Sequence, residues 1–324
     1  MSETNFSAGP ISLFALLFVE NGEMHANLRS ASDPLNVYLR CGALLDQSLT
    51  AFGHNLTLVT NEPHLLRSGM EQEGIQLELV EMPFDRFVPE TLAFRSAHRK
   101  LDVIAAFGQG KMGPRPGLLD LDMVMLNPFP TMILTDPRLV GYDIWHQIAP
   151  AYGTELVRRD IATVSGLSAH HLNHWWGGEF LVGPQDRFAQ LSEVIETLYP
   201  RYLELAPSLH HQGDEMILTA AMHVLDRESA PIAVDGGAAG AIGRWWSART
   251  QSQIEPLSEF ASRSILHLPA DKDLLSSFSG DPALSIDSLY PHLRKRLRAK
   301  TLIRRLVGSL DPVLPGPRKY APKL

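Results

Sequence analysis

From Ser12 to Val19 the chain is a continuous apolar run of strand length. Such a strand has no polar face to offer water, so it has to be covered on both sides. The following segments can supply that cover. Helical spacing extends from about Val37 to Phe52, and Leu56 to Thr60 reads as a second strand ending in the turn signal Asn61-Glu62-Pro63. Ile75 to Met82 alternates as a third strand, Thr91 to Phe107 returns to helical spacing, and a loop rich in Gly, Pro and Lys runs from Gly108 to Gly117. Strands alternating with helices predict an α/β sandwich around a mostly parallel central sheet. The run from Ile11 to Val19 is too short to span a bilayer, and Glu3 stands where a secretory signal carries basic residues.

The segment Gly117-Leu-Leu-Asp120-Leu-Asp122-Met-Val-Met-Leu126 reads as a short apolar strand that delivers two carboxylates one residue apart. Residues i and i+2 of a strand share a face, so Asp120 and Asp122 are expected to turn toward one point. Two like charges among apolar residues are costly unless a cation or a shared proton neutralises them. A divalent metal that also holds phosphate answers that need; the plainer alternative is a strand end whose acids face water. Ligands of α/β sheets gather at the carboxyl ends of the strands, and the acidic pair lies near such an end.

Composition narrows the function classes. With 324 residues, 44% of them hydrophobic, the chain can bury a sizeable core. Its formal charge of -7 makes nucleic acid an unexpected partner, and the single cysteine, Cys41, excludes a disulfide framework and a cysteine-based zinc cluster. That usage fits a reducing, cytoplasmic setting.

The second half holds further candidates. Gly178 to Gly183 is an expected strand, after the aromatic and histidine-rich approach His170-His171-Leu-Asn-His174-Trp175-Trp176. Trp175 and Trp176 are read either as flanking an acceptor sugar or as a packed core corner. A helix is expected from Gln185 to about Leu203, and Gly213-Asp214-Glu215 opens another running to about Leu225. The two acids fit a helix cap, and they equally fit a cleft where one could hold a sugar hydroxyl or act as a base. Ile232 to Val234 and Ser264 to Leu268 are short strand candidates, with His267 at the end of the second and Lys272 five residues on. His267 could be a third metal ligand and Lys272 a point charge for phosphate.

In order, these pieces are a buried first strand, a basic helix, Asp-X-Asp, Gly-Gly-Glu after an aromatic loop, Gly-Asp-Glu on a helix, and a late His followed by Lys. That order resembles the GT-A nucleotide-sugar glycosyltransferases, in the region of the families that include glycogenin and bacterial lipopolysaccharide galactosyltransferases. The resemblance covers roughly residues 10 to 275 as ordered short motifs. It implies a Rossmann-like GT-A catalytic domain over residues 1–283 and transfer of a sugar from a nucleotide-diphosphate donor, expected to be a UDP-sugar, to a saccharide or lipid-linked acceptor. It also implies that Asp120, Asp122 and His267 coordinate Mn²⁺ or Mg²⁺, that Lys272 contacts phosphate, and that Arg95 or Lys100 pairs with the diphosphate or donor sugar. Asp214 or Glu215 would contact the donor sugar or the acceptor. One departure is that Asp273-Leu274 follows Lys272, where the glycogenin-like pattern has Pro-Trp.

Two other classes compete. Asp120-Leu-Asp122-Met-Val124 also fits the opening motif of haloacid-dehalogenase-type phosphatases, with Asp120 as nucleophile and Asp122 as general acid, although several strands precede it and no second acid follows Asp214 at that family's spacing. A non-catalytic GT-A-like module that binds a nucleotide sugar is the third class.

The tail, residues 284–324, is expected to form a basic helix from Pro291 to about Leu310. Arg294, Lys295, Arg296, Arg298, Lys300, Arg304 and Arg305 fall between His292 and Leu310 with no acid among them. Leu293, Leu297, Ile303, Val307 and Leu310 share one broad face, with Leu302 and Leu306 off it. A solvated helix packed on the body would explain the pattern, and so would peripheral docking on an anionic membrane at the inner face of the cell.

Overall fold

The computed structural model describes residues 11–20, 33–228, 231–247, 255–278 and 286–309. The apolar run becomes β1 (Ser12–Leu16), and Asp33 and Pro34 start α1 (Pro34–Thr50), the Asp33 carboxylate accepting from the Leu35 amide at 3.0 Å. Next come β2 (Leu56–Thr60), α2 (Pro63–Glu73) and β3 (Glu78–Glu81). The expected helix over Thr91–Phe107 is shorter and interrupted at Arg99, giving α3 (Arg95–His98) and α4 (Lys100–Gly108). Its start is set by Phe94, which at φ 56° is the one non-glycine residue with positive φ among the described residues.

The segment expected as one strand is two: β4 (Pro116–Leu119) and β5 (Met123–Met125), with Asp120, Leu121 and Asp122 between them. After α5 (Thr131–Thr135), β6 (Leu139–Asp143), α6 (Trp145–Tyr152) and α7 (Thr154–Ser165), the chain enters β7 (Trp176–Val182), buried along its whole length. It continues through α8 (Gln185–Leu205), α9 (Asp214–Glu228), β8 (Ala233–Asp235), β9 (Ile242–Arg244), β10 (Ile265–His267), α10 (Lys272–Ser276) and α11 (Ile286–Ser309).

The fold is α/β. Seven strands form one sheet in the order β3-β2-β1-β4-β7-β6-β8, and β5-β10-β9 form a second, smaller sheet. Only β7 runs against its neighbours in the large sheet; the other pairings are parallel. Helices cover both faces, as a strand like β1 requires, with Leu13, Ala15, Leu58 and Val59 at 1% exposure or less. On one side α4 and α8 approach so closely that a Cβ on Gly108 would lie 2.7 Å from the Ala189 Cα.

In α11, Leu289, Leu293 and Leu297 are buried, so the first half of the basic helix packs on the body. Beyond Thr301, Leu302, Ile303 and Leu306 are more than half exposed. Ile303 therefore does not belong to the buried stripe with Leu293 and Leu297. The side chain of Val307 and all of Leu310, like the rest of the tail to 324 and most of the loop after Val19, lie outside the described residues. Among the described residues, no helix is long and apolar enough to cross a membrane.

Candidate functional site

Asp120 and Asp122 meet because the chain changes sheet between them, and not through the pleat of one strand. The Asp120 amide donates to the Glu179 carbonyl at 2.9 Å, adding a rung to the β4–β7 ladder, and the Leu268 amide donates to the Asp122 carbonyl at 2.9 Å, extending β5–β10. Leu121, 5% exposed, is the pivot. Both carboxylates are left at the seam, where His267 arrives as the last residue of β10. Its neighbours in register are Met123 on β5 and Arg244 on β9.

One ligand atom from each of Asp120, Asp122 and His267 lies within 4.8 Å of the others. His267 Nε2 is 3.1 Å from Asp122 Oδ1 and 4.0 Å from Asp120 Oδ2. Opposed oxygen ligands on Mg²⁺, with bonds of about 2.1 Å, stand about 4.2 Å apart, so the three atoms suit one dication after small adjustments. Two carboxylates with one imidazole are also a donor set that Mn²⁺ accepts.

Each acid already has a cation. Lys100 Nζ is 2.6 Å from Asp120 Oδ1 and 3.7 Å from Asp214 Oδ2, and it donates to the Gly178 carbonyl at 3.0 Å. Lys272 Nζ donates to Asp122 Oδ2 at 2.6 Å and to the Pro269 carbonyl at 3.0 Å. Burial works against every charge here, yet Lys272 and His267 together hold Asp122 well below the usual carboxylate range. At Asp120 burial wins over Lys100, and its pKa is raised. Against burial, the carboxylates hold both lysines above their ordinary value, and Asp122 and Glu179 lift His267 to about 9.

Behind this layer lies a second one. Glu179, 2% exposed on β7, has Oε1 3.6 Å from His267 Nδ1 and 3.1 Å from an Arg244 guanidinium nitrogen. Against burial, Arg244 and His267 draw Glu179 down to about 2. Arg244 is also 3.7 Å from Glu215 Oε1, while Trp175 Nε1 donates to Glu215 Oε2 at 2.9 Å. Burial and the Glu179 charge push Glu215 up to about 7, with Arg244 opposing. Linked by these ion pairs, five carboxylates (Asp120, Asp122, Glu179, Asp214, Glu215) face three permanent cations (Lys100, Lys272, Arg244). The excess of negative charge equals that of one dication when His267 is neutral and all five acids are ionised.

The expected residues therefore divide. Asp120, Asp122, His267, Lys272, Lys100, Asp214 and Glu215 come together, the last two in the first turn of α9, where acids also favour the helix dipole. Arg95 does not join them; it pairs with Glu20 at the end of the first strand segment. Arg95 lies on α3 and Lys100 on α4, on either side of the interruption at Arg99, so the two do not share one helix face. Trp175 and Trp176 are 0% and 3% exposed, so they form the packed corner and offer no open face to a sugar. The sequence pattern assigns no role to Glu179 or Arg244. A lone charge inside the buried run Gly-Gly-Glu-Phe-Leu-Val was the available signal for Glu179; Arg244, on a three-residue strand, had none.

Comparison with family models finds no match to the chain, and no curated protein matches it. The chemistry of the seam is thus read from its own side chains.

His98 anchors the approach to α9. It is fully buried, its Nδ1 donates to the Phe94 carbonyl at 2.9 Å, and its Nε2 lies 2.8 Å from the Tyr202 hydroxyl, which contacts the Gln212 carbonyl at 2.8 Å just before Asp214. Burial lowers its pKa, with Asp214 opposing and Arg99 and Arg86 assisting. The unfolded chain takes up this proton below about pH 6.5 and the folded one resists it, so the stability due to neutral His98 is lost as pH falls through that region. In urea titrations, His98→Gln is expected to flatten the fall in stability between about pH 6 and 5, by at most about 1.4 kcal/mol per pH unit. Parallel slopes for variant and wild type would contradict a neutral buried His98.

Proposed function

We propose that the chain is a metal-dependent glycosyltransferase of GT-A type that takes a sugar from a nucleotide diphosphate, with a UDP-sugar as the expected donor. The observation that carries this reading is the convergence of Asp120, Asp122 and His267 within 4.8 Å at a seam flanked by two lysines. These three residues would hold Mn²⁺ or Mg²⁺. The bound ion would stabilise the negative charge that develops on the departing diphosphate. Lys272 and Lys100, whose present partners are the metal-binding carboxylates, would turn to phosphate oxygens when the ion is held. Asp214, paired with Lys100, and Glu215, paired with Arg244, belong to the same network of charges and would meet the donor sugar or the acceptor. With its pKa near 7, Glu215 can take or give a proton at a sugar hydroxyl under ordinary conditions.

The acceptor proposed is a saccharide or glycolipid, and α11 bears on the second. Its last turns carry the exposed Leu302, Ile303 and Leu306 beside the exposed Arg298 and Arg305, with Arg294, Lys295 and Arg296 exposed one to three turns earlier. An anionic bilayer matches both features, each basic side chain near its surface adding about 1 kcal/mol. The proposed location is cytoplasmic, peripheral at the inner face of the membrane. Replacing Leu302 and Ile303 together by Gln should cut sedimentation with phosphatidylglycerol vesicles at least several-fold without altering the fold; undiminished binding would exclude this surface.

For the active site the test is Asp122→Ala. With a panel of nucleotide sugars and Mn²⁺, wild type should turn over at least one donor and the variant none, both remaining folded by circular dichroism. Equal turnover would overturn the assignment, and hydrolysis of simple phosphate esters without preference for nucleotides would favour the phosphatase alternative.

A further inference from the structure

We propose that Glu179 positions His267 as a metal ligand by holding the Nδ1 proton, which leaves the Nε2 lone pair for the ion. The proposal rests on the metal reading of Asp120, Asp122 and His267 and adds to it a residue from outside that set.

β7 is buried at every position, and Glu179 is its one ionisable residue. An ionised carboxylate in such a strand is strongly unfavourable unless specific partners compensate it. The chain makes deliberate room for it: a Cβ on Gly177 would stand 2.0 Å from Glu179 Oε2. What the carboxylate faces is the far side of the His267 ring. Glu179 Oε1 is 3.6 Å from Nδ1, while Nε2 on the opposite edge is directed to Asp122 and Asp120. Glu179 cannot reach the ion through that ring edge, so it acts on the imidazole itself.

Three buried atoms at this contact have no hydrogen-bond partner: both Glu179 oxygens and His267 Nδ1. A closure of about half an ångström joins the Nδ1 proton to the carboxylate and satisfies two of them. Arg244 keeps Glu179 ionised from the other side and spans to Glu215, so one guanidinium ties the metal face to the acids of α9. A carboxylate behind a ligating histidine fixes the tautomer and raises ligand basicity, and its loss weakens metal binding by roughly 10–100-fold. A purely structural Arg244–Glu179 pair would have no reason to face Nδ1.

The test is a calorimetric Mn²⁺ titration of the full chain as wild type, Glu179→Gln, His267→Ala and the double variant. Glu179→Gln is expected to weaken Mn²⁺ binding by roughly 10–100-fold, and to have no further effect once His267 is gone. Unchanged affinity in the single variant, or an equal loss in both backgrounds, would overturn the positioning role. A wild type that binds neither Mn²⁺ nor Mg²⁺ would remove the metal reading itself, a separate outcome. Nitrogen NMR of His267 in Mg²⁺-loaded wild type needs no substitution: a protonated Nδ1 is expected, and a protonated Nε2 would refute the proposal.

Discussion

Two backbone hydrogen bonds hold the seam on which the site depends. The Asp120 amide is bound to β7 and the Asp122 carbonyl to β10, so the intervening Leu121 carries the chain from the large sheet to the small one. A continuous strand would have kept both acids on one face of one sheet, with helices above and below. The change of sheet opens an edge at which residues from β7, β9, β10, α4 and α9 converge. It also explains how a histidine distant in sequence reaches the two acids: β10 pairs with β5 in a register that brings His267 opposite Met123, next to Asp122.

Charge balance is the second constraint. Five acids and three permanent cations are gathered where burial opposes all of them. Burial and the Glu179 charge raise Glu215, and against burial Asp122 and Glu179 raise His267, so both groups hold a proton more readily than usual. In the proposed reading a dication would offer another resolution, and an arriving diphosphate would give the displaced lysine charges a partner. Metal and phosphate binding are expected to support one another for that reason.

Much of this organisation is legible in sequence because it rests on period and order. β2 has the expected bounds, α8 starts at Gln185 as expected, and the parallel alternation through β4 follows from buried runs and helical spacing. Asp120, Asp122, His267 and Lys272 stand out as chemistry-bearing types at element ends. Less was readable where local pattern is short or broken. Three-residue strands such as β9 have no period to detect, which hid Arg244, and the turn at Phe94 with the interruption at Arg99 parts what looked like one helix. The splitting of the aspartate strand depends on long-range partners, Glu179 and Leu268, that no local window contains. Glu179 was visible as an anomaly, a charge in a buried run, without a sign of what it faces.

Anomalous diffraction at the manganese edge, from crystals of the chain grown with Mn²⁺ and UDP, addresses the seam most directly. A single strong peak bonded to Asp120, Asp122 and His267, next to the diphosphate, is the result expected. No peak there, with Lys100 and Lys272 still on the two carboxylates, would contradict the account.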